Sequence, residues 1–198
     1  GECSALERMW LDSNSITGYL PTEIGHLTRL LYLDLGGNNL IGSIPSSLFA
    51  LTQLIDLRLD DNNFERPPWL MSDMLSSLTN LKLLSLPNTG LTGTIPIPDI
   101  AFLASSIEQL SLSQNGISGT VPSELAMLTR LEILELDSTD LSGSLPSELG
   151  MLTNLSVLHL THNPLLDLAN IPPELESLLQ ENNIEYVFHE LGSISGPP

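Results

Sequence analysis

Cysteine and positive charge are both scarce in this chain of 198 residues. The single cysteine, Cys3, cannot close a disulfide within the chain, so no disulfide framework organises the fold. Six Lys and Arg stand against 24 Asp and Glu, a formal charge of −18. Nucleic acid is held by neutralising its phosphates with Lys and Arg, so it is excluded as a partner. No apolar run reaches the roughly 18 residues that span a bilayer, so this segment is not expected to insert into a membrane. No charged-then-apolar leader opens the chain. There is no GxSxG elbow, no phosphate-cradling Gly loop and no CxxC pair. His159 and His162 lie three apart without a third ligand at a clear spacing, which is too little for a zinc site. The chain is therefore expected to be no enzyme and to carry no metal or cofactor.

Leucine is present in abundance, and at a fixed period. Residues 107–154 hold two consecutive 24-residue segments of one pattern, Ile107-Glu-Gln-Leu-Ser-Leu and Leu131-Glu-Ile-Leu-Glu-Leu. Each is followed by a polar turn, a Gly-x-x-Pro and a Ser-Glu-Leu. The same frame, LxxLxLxxNxLxGxxP, starts at Leu6, Leu30, Leu54, Leu81, Ile107, Leu131 and Leu155. A period of this length is the mark of a solenoid, in which each coil buries its apolar side against its neighbours. The LxxLxL part alternates as a short strand does, so stacked coils make a parallel sheet. The Gly-x-x-Pro favours a second extended stretch, and the Pro with a following acid suits the start of a short helix.

On these residues the chain resembles the leucine-rich repeat, in the plant-type subclass found in receptor-kinase ectodomains and polygalacturonase-inhibiting proteins. The resemblance implies an α/β solenoid, a right-handed superhelix with a parallel concave β-sheet and short helical or 3-10 segments on the convex side. Residues 1–191 form the repeat domain, with regular repeats over 6–163, a degenerate closing repeat over 164–191 and a flexible tail at 192–198. The third copy lacks Gly-x-x-Pro, and a longer convex helix is expected from Ser72 onward. Plant-type members carry an N-terminal cap with paired cysteines. The first copy here is preceded by five residues, so upstream sequence or a neighbouring chain is expected over Met9, Trp10 and Leu11.

The ninth frame position carries Asn14, Asn38, Asn62, Thr89, Asn115, Thr139 and Asn163. A turn buried between coils needs a side chain that bonds neighbouring backbone, so these seven are expected to form a structural ladder.

The variable strand positions offer candidate partner contacts. Trp10 and Tyr32 are large and stiff, on adjacent coils with Arg8 beside them. Asp34, Asp56, Asp60 and Asp61 surround Arg58, Glu132, Glu135 and Asp137 form a second acidic group three coils on, and His159 is on the next coil. At about 4.8 Å per strand the two acidic groups lie some 15 to 20 Å apart, a span suited to an extended peptide or a protein edge. Plant receptors of this type read a peptide carboxylate with an Arg-x-Arg pair, which is absent here. A basic protein or peptide is the expected partner. Asn154-Leu-Ser156 is a glycosylation sequon, and with the plant-type resemblance it points to a secreted or cell-surface setting. The expected function is non-catalytic protein or peptide binding through the acidic concave face. Inhibition of a secreted hydrolase and a structural role in a larger assembly are the alternatives.

Overall fold

The computed structural model describes residues 5–65 and 71–187. Cys3, residues 66–70 of the irregular third copy, Phe188 and the tail at 192–198 lie outside the described residues. The frame is realised as a stack of coils. Arg8–Trp10, Tyr32–Asp34, Asp56–Arg58, Leu83–Ser85, Gln109–Ser111, Ile133–Glu135, Val157–His159 and Glu185–Val187 pair in that order as one parallel eight-stranded sheet. Each strand is three residues long, and in Tyr32–Asp34, Asp56–Arg58, Leu83–Ser85, Ile133–Glu135 and Val157–His159 the middle residue is buried and the two flanking residues are half-exposed on the other face. Leu33, Leu57, Leu84, Leu110, Leu134 and Leu158 thus align in register through the core, all at most 1% exposed.

Further strands form at or just before the Gly-x-x-Pro stretches, and at the equivalent places in the third and seventh copies that lack one, in two separate sheets. Thr17–Tyr19, Asn39–Gly42 and Asn63–Phe64 make one; Thr92–Gly93, Gly116–Thr120, Asp140–Ser144 and Leu165–Asp167 make the other. The division falls between the third and fourth coils, where the third copy lacks its Gly-x-x-Pro. At Gly42 the backbone has φ 75°, and Tyr19 covers the Cα so closely that an added Cβ would lie 2.3 Å from the ring. Any other residue there would strain the backbone and push the Tyr19 ring aside.

The convex side carries five 3-10 segments, Thr22–His26, Ser46–Ala50, Asp99–Leu103, Ser123–Met127 and Ser147–Met151. Pro21, Pro45, Pro122 and Pro146 occupy the position just before four of them, with φ between −71° and −75° and an extended ψ. In the third coil an α-helix, Met71–Ser77, takes this place, with Met71, Met74 and Leu75 buried. After Pro164 the helix Pro173–Glu181 packs on Ser147–Met151 of the sixth coil and the strand Glu185–Val187 pairs with Val157–His159 of the seventh, with Leu175, Leu178, Leu179 and Ile184 buried.

Among the described residues nothing packs on the outer side of the first coil. Leu6, Met9, Leu11, Ile16, Leu20 and Leu27 line an apolar cavity of about 850 Å³ there. Trp10 alternates with Met9 along the strand and lines the concave face, where its variable frame position puts it.

The ladder holds at four coil junctions. Asn38, Asn62, Asn115 and Asn163 each donate from Nδ2 to two carbonyls of their own turn and one of the preceding coil, while Oδ1 accepts a backbone N–H from that coil. Three members depart from the expectation. Asn14 is exposed and bonds only its own coil, through Leu11 O and Asp12 O, since no coil precedes it among the described residues. Thr89 and Thr139 are buried, and their hydroxyls bond the carbonyl three residues back, Leu86 O and Leu136 O, and face Asn115 Oδ1 and Asn163 Oδ1 of the following coil, but make no bond to the preceding coil among the described residues. The rung is therefore missing where the fourth coil meets the third and where the sixth meets the fifth.

Candidate functional site

The outward strand residues form registered rows across the concave sheet. One row runs Trp10, Asp34, Arg58, Ser85, Ser111, Glu135, His159. Its neighbour runs Arg8, Tyr32, Asp56, Leu83, Gln109, Ile133, Val157. The expected partner residues on these strands therefore share one face, placed there by the two-residue alternation of each strand.

At the first three coils Trp10, Asp12, Tyr32, Asp34, Asp56 and Arg58 surround a hollow of about 490 Å³ over Leu33. Arg58 grips Asp56 with both arms of its guanidinium, Nε to Oδ1 at 3.0 Å and Nη2 to Oδ2 at 3.2 Å. Asp34 is farther away, with Oδ2 at 3.9 Å from the same Nε, and its Oδ1 accepts the Gly36 N–H at 3.0 Å. Burial raises the Asp34 pKa, the charges of Asp12 and Asp60 push it the same way, and the Gly36 N–H and Arg58 only partly offset them. The guanidinium of Arg58 is held charged chiefly by its hydrogen bonds to Asp56. Arg8 lies over the Tyr32 ring at 5.3 Å from its centroid, a cation–π contact. Trp10 is 63% exposed.

Asp60 accepts a hydrogen bond from Ser85 Oγ at 3.1 Å, across to the fourth coil. Gly36 makes room for that carboxylate, since a Cβ there would lie 2.8 Å from Asp60 Oδ2. Asp61 is not part of the group around Arg58. It follows Asp60 with φ 49°, turns to the rim and accepts from Asn88 Nδ2 at 3.1 Å. Three strands on, His159 Nδ1 lies 3.3 Å from Glu135 Oε1, Asp137 accepts from Ser113 Oγ, and Glu132 is exposed. Between the two charged groups the row narrows to Ser85 and Ser111. Ser111 Oγ is buried without a hydrogen-bond partner among the described residues. Its sequence position gave no hint of this.

Asn154, the sequon residue, has a structural duty. Its Nδ2 donates to Thr129 O at 2.7 Å, as Asn80 does to Thr52 O and Asn182 to Thr153 O. These three form a second, outer series of coil-to-coil bonds that sequence reasoning missed. The signal was the Asn directly after the convex Leu-Thr, present at Asn80 and Asn154. Among the described residues no group of three or more His, Cys, Asp or Glu could hold a metal ion, and no helix is long and apolar enough to cross a membrane.

The Leucine Rich Repeat family model matches residues 5–27, 29–51 and 106–128. Solved structures with the same fold include the plant peptide hormone receptor RGFR1 in complex with RGF2, 34% identical over 81% of this chain with a TM-score of 0.71. The Arabidopsis receptor kinase HAESA in complex with the peptide hormone IDA and the co-receptor SERK1 is 27% identical over 93% of it, TM-score 0.72. A TDR receptor is 30% identical over 93%, TM-score 0.75. The chain spans 25%, 33% and 30% of the lengths of these three. Comparison with the curated proteins gives no match.

Proposed function

This chain belongs to the leucine-rich repeat proteins, with repeats of the plant-type frame, and we propose that it is a non-catalytic module holding a basic peptide or protein segment along its concave sheet. The observation that carries this reading is the outward row from Trp10 to His159, which sets an aromatic and two separated acidic groups on one face. A rigid curved sheet with an extended partner laid across its strands needs no reacting group. Affinity comes from buried anchors, and long-range attraction comes from the charge. The solved relatives support it, since RGFR1 and HAESA are described in complex with peptide hormones. The extracellular setting of such receptors, a secreted or cell-surface location, belongs to the same proposal.

The test is a charge reversal of Asp34, Asp56 and Asp60 to Lys, read by binding to an immobilised library of basic peptides at two salt concentrations. The native chain binds and loses affinity with salt, and the triple variant loses both binding and salt response. Unchanged binding in the variant would remove the concave site. An inhibition panel of secreted cell-wall hydrolases separates the inhibitor reading, which requires loss of hydrolase activity.

A further inference from the structure

We propose that the hollow between Trp10 and Asp34 seats one arginine side chain of the bound partner, with the indole stacked on the guanidinium and the carboxylates of Asp34 and Asp12 taking its N–H groups. This deepens the peptide-binding reading and rests on it for the source of the arginine.

The charge in the hollow is unbalanced. Its resident cation, Arg58, spends both arms on Asp56 and leaves Asp34 with one N–H from Gly36 and a guanidinium nitrogen 3.9 Å off. Among the described residues the Asp12 carboxylate has no hydrogen-bond or ion-pair partner. The ring that stands over this deficit is free. Trp10 pairs in register with Asp34 and is 63% exposed, with no hydrogen bond or ring contact among the described residues. What sets Trp10 apart from other exposed apolar side chains such as Tyr19 and Leu165 is the half-neutralised acid beside its ring, within the same hollow.

The chemistry of the occupant follows from these walls. A planar guanidinium stacks on an indole face and offers donors in its own plane to two carboxylates at once. An ammonium is a compact, strongly hydrated point charge and gains less from the ring. The neighbouring pair shows the same contact made internally, since Arg8 already covers Tyr32 at 5.3 Å. The hollow of about 490 Å³ has room for the incoming side chain above Leu33.

The experiment follows the indole N–H signals of the full chain by nitrogen-15 NMR during titration with N-acetyl-arginine amide. Trp10→Phe assigns the signal, since Trp69 supplies the other indole. The Trp10 signal shifts saturably, and N-acetyl-citrulline amide, of the same shape without charge, binds at least tenfold more weakly. N-acetyl-lysine amide falls between them. Asp34→Asn, which keeps an acceptor for Gly36, weakens arginine at least fivefold, and Glu148→Gln on the convex side leaves it unchanged. Equal binding of citrulline and arginine, a silent Trp10 signal, or equal losses in Asp34→Asn and Glu148→Gln would each overturn the seat; equal binding of lysine would overturn its preference for guanidinium. Arginine binding with no peptide retained from the library would leave the seat standing and remove the peptide reading. Peptide binding that shifts Glu135 and His159 with no arginine response would remove the seat alone.

Discussion

Arg58 and Asp56, next but one on the same strand, close on each other as a two-armed pair at 3.0 and 3.2 Å and leave Asp34, on the strand beside them, at 3.9 Å. One cation thus serves two acids unequally, and the underserved acid is the one with Trp10 beside it in register.

The first prediction concerns that acid. The folded pKa of Asp34 is raised, first by burial, so its ionised form is disfavoured in the fold relative to the unfolded chain. A raised carboxylate pKa means that the folded state binds the proton more tightly. Its destabilising contribution is full above the raised folded value and disappears as pH falls below the ordinary carboxylate value of 3.8. Asp34→Asn removes the charge and keeps the acceptor for Gly36. The variant should unfold at a higher urea concentration than the native chain at pH 7, and the gap should close as the pH is lowered. A variant less stable at neutral pH would contradict the account.

The ladder gives a contrast between two asparagines. Asn62 is buried and makes bonds to Leu35 O, Leu59 O and Asp60 O while accepting from Leu40 N. Removing it strands buried backbone groups, at about 1–3 kcal/mol each where no water enters. Asn62→Ala should therefore cost about 2–4 kcal/mol in denaturant unfolding, in the range of the large single-site losses. Asn14→Ala, exposed and bonded only within its own coil, should stay within about 0.5 kcal/mol.

A missing rung can be restored. At Thr139 the preceding coil offers Leu112 O and the Ile117 N–H in the places where Leu136 O and the Leu141 N–H meet Asn163 one coil later. Consecutive asparagines are accommodated at Asn38 and Asn62, where Leu35 O accepts from both. Thr139→Asn gives up the Oγ1 bond to Asn163 Oδ1 and gains bonds to Leu112 O and the Ile117 N–H; the net gain of one buried hydrogen bond should raise stability by about 1 kcal/mol, measured as a shift in urea midpoint at unchanged slope. A loss of stability would show that the sixth coil cannot accept the longer side chain.

Asn154 bears on modification as well as stability. A glycan on its Nδ2 competes with the bond to Thr129 O, so attachment and the outer series draw on the same atom. Asn154→Ala should cost about 0.5–1.5 kcal/mol. Expression in a secreting eukaryotic host, followed by mass measurement, reports whether the sequon is used.

The coil, its sheet and its convex segments were legible because they are set by period and by residue type. Leu33 to Leu158 fill the core at the places that alternation assigns, and Pro21, Pro45, Pro122 and Pro146 mark the convex starts. The facing residues were legible for the same reason, down to Trp10 beside Asp34. What pattern could not carry was local angle and reach. Asp61 is one residue from Asp60, yet a left-handed φ turns it to the rim. Thr89 and Thr139 share a frame position with asparagine and are one bond too short for its role. The division of Asp56 and Asp34 around Arg58 depends on fractions of an ångström, which no spacing encodes.

Two of these departures coincide at one place, where the fourth coil lacks its asparagine and the outer sheet is divided. The concave sheet runs through that place unbroken, with Ser85 and Asn88 bonded back to Asp60 and Asp61. The convex side is carried across by the helix Met71–Ser77, which packs on Ser46–Ala50 behind it and Asp99–Leu103 ahead of it. Continuity of the solenoid at this junction therefore falls to the inner sheet and one helix, and the carboxylate of Asp60 is tied into both halves through Ser85.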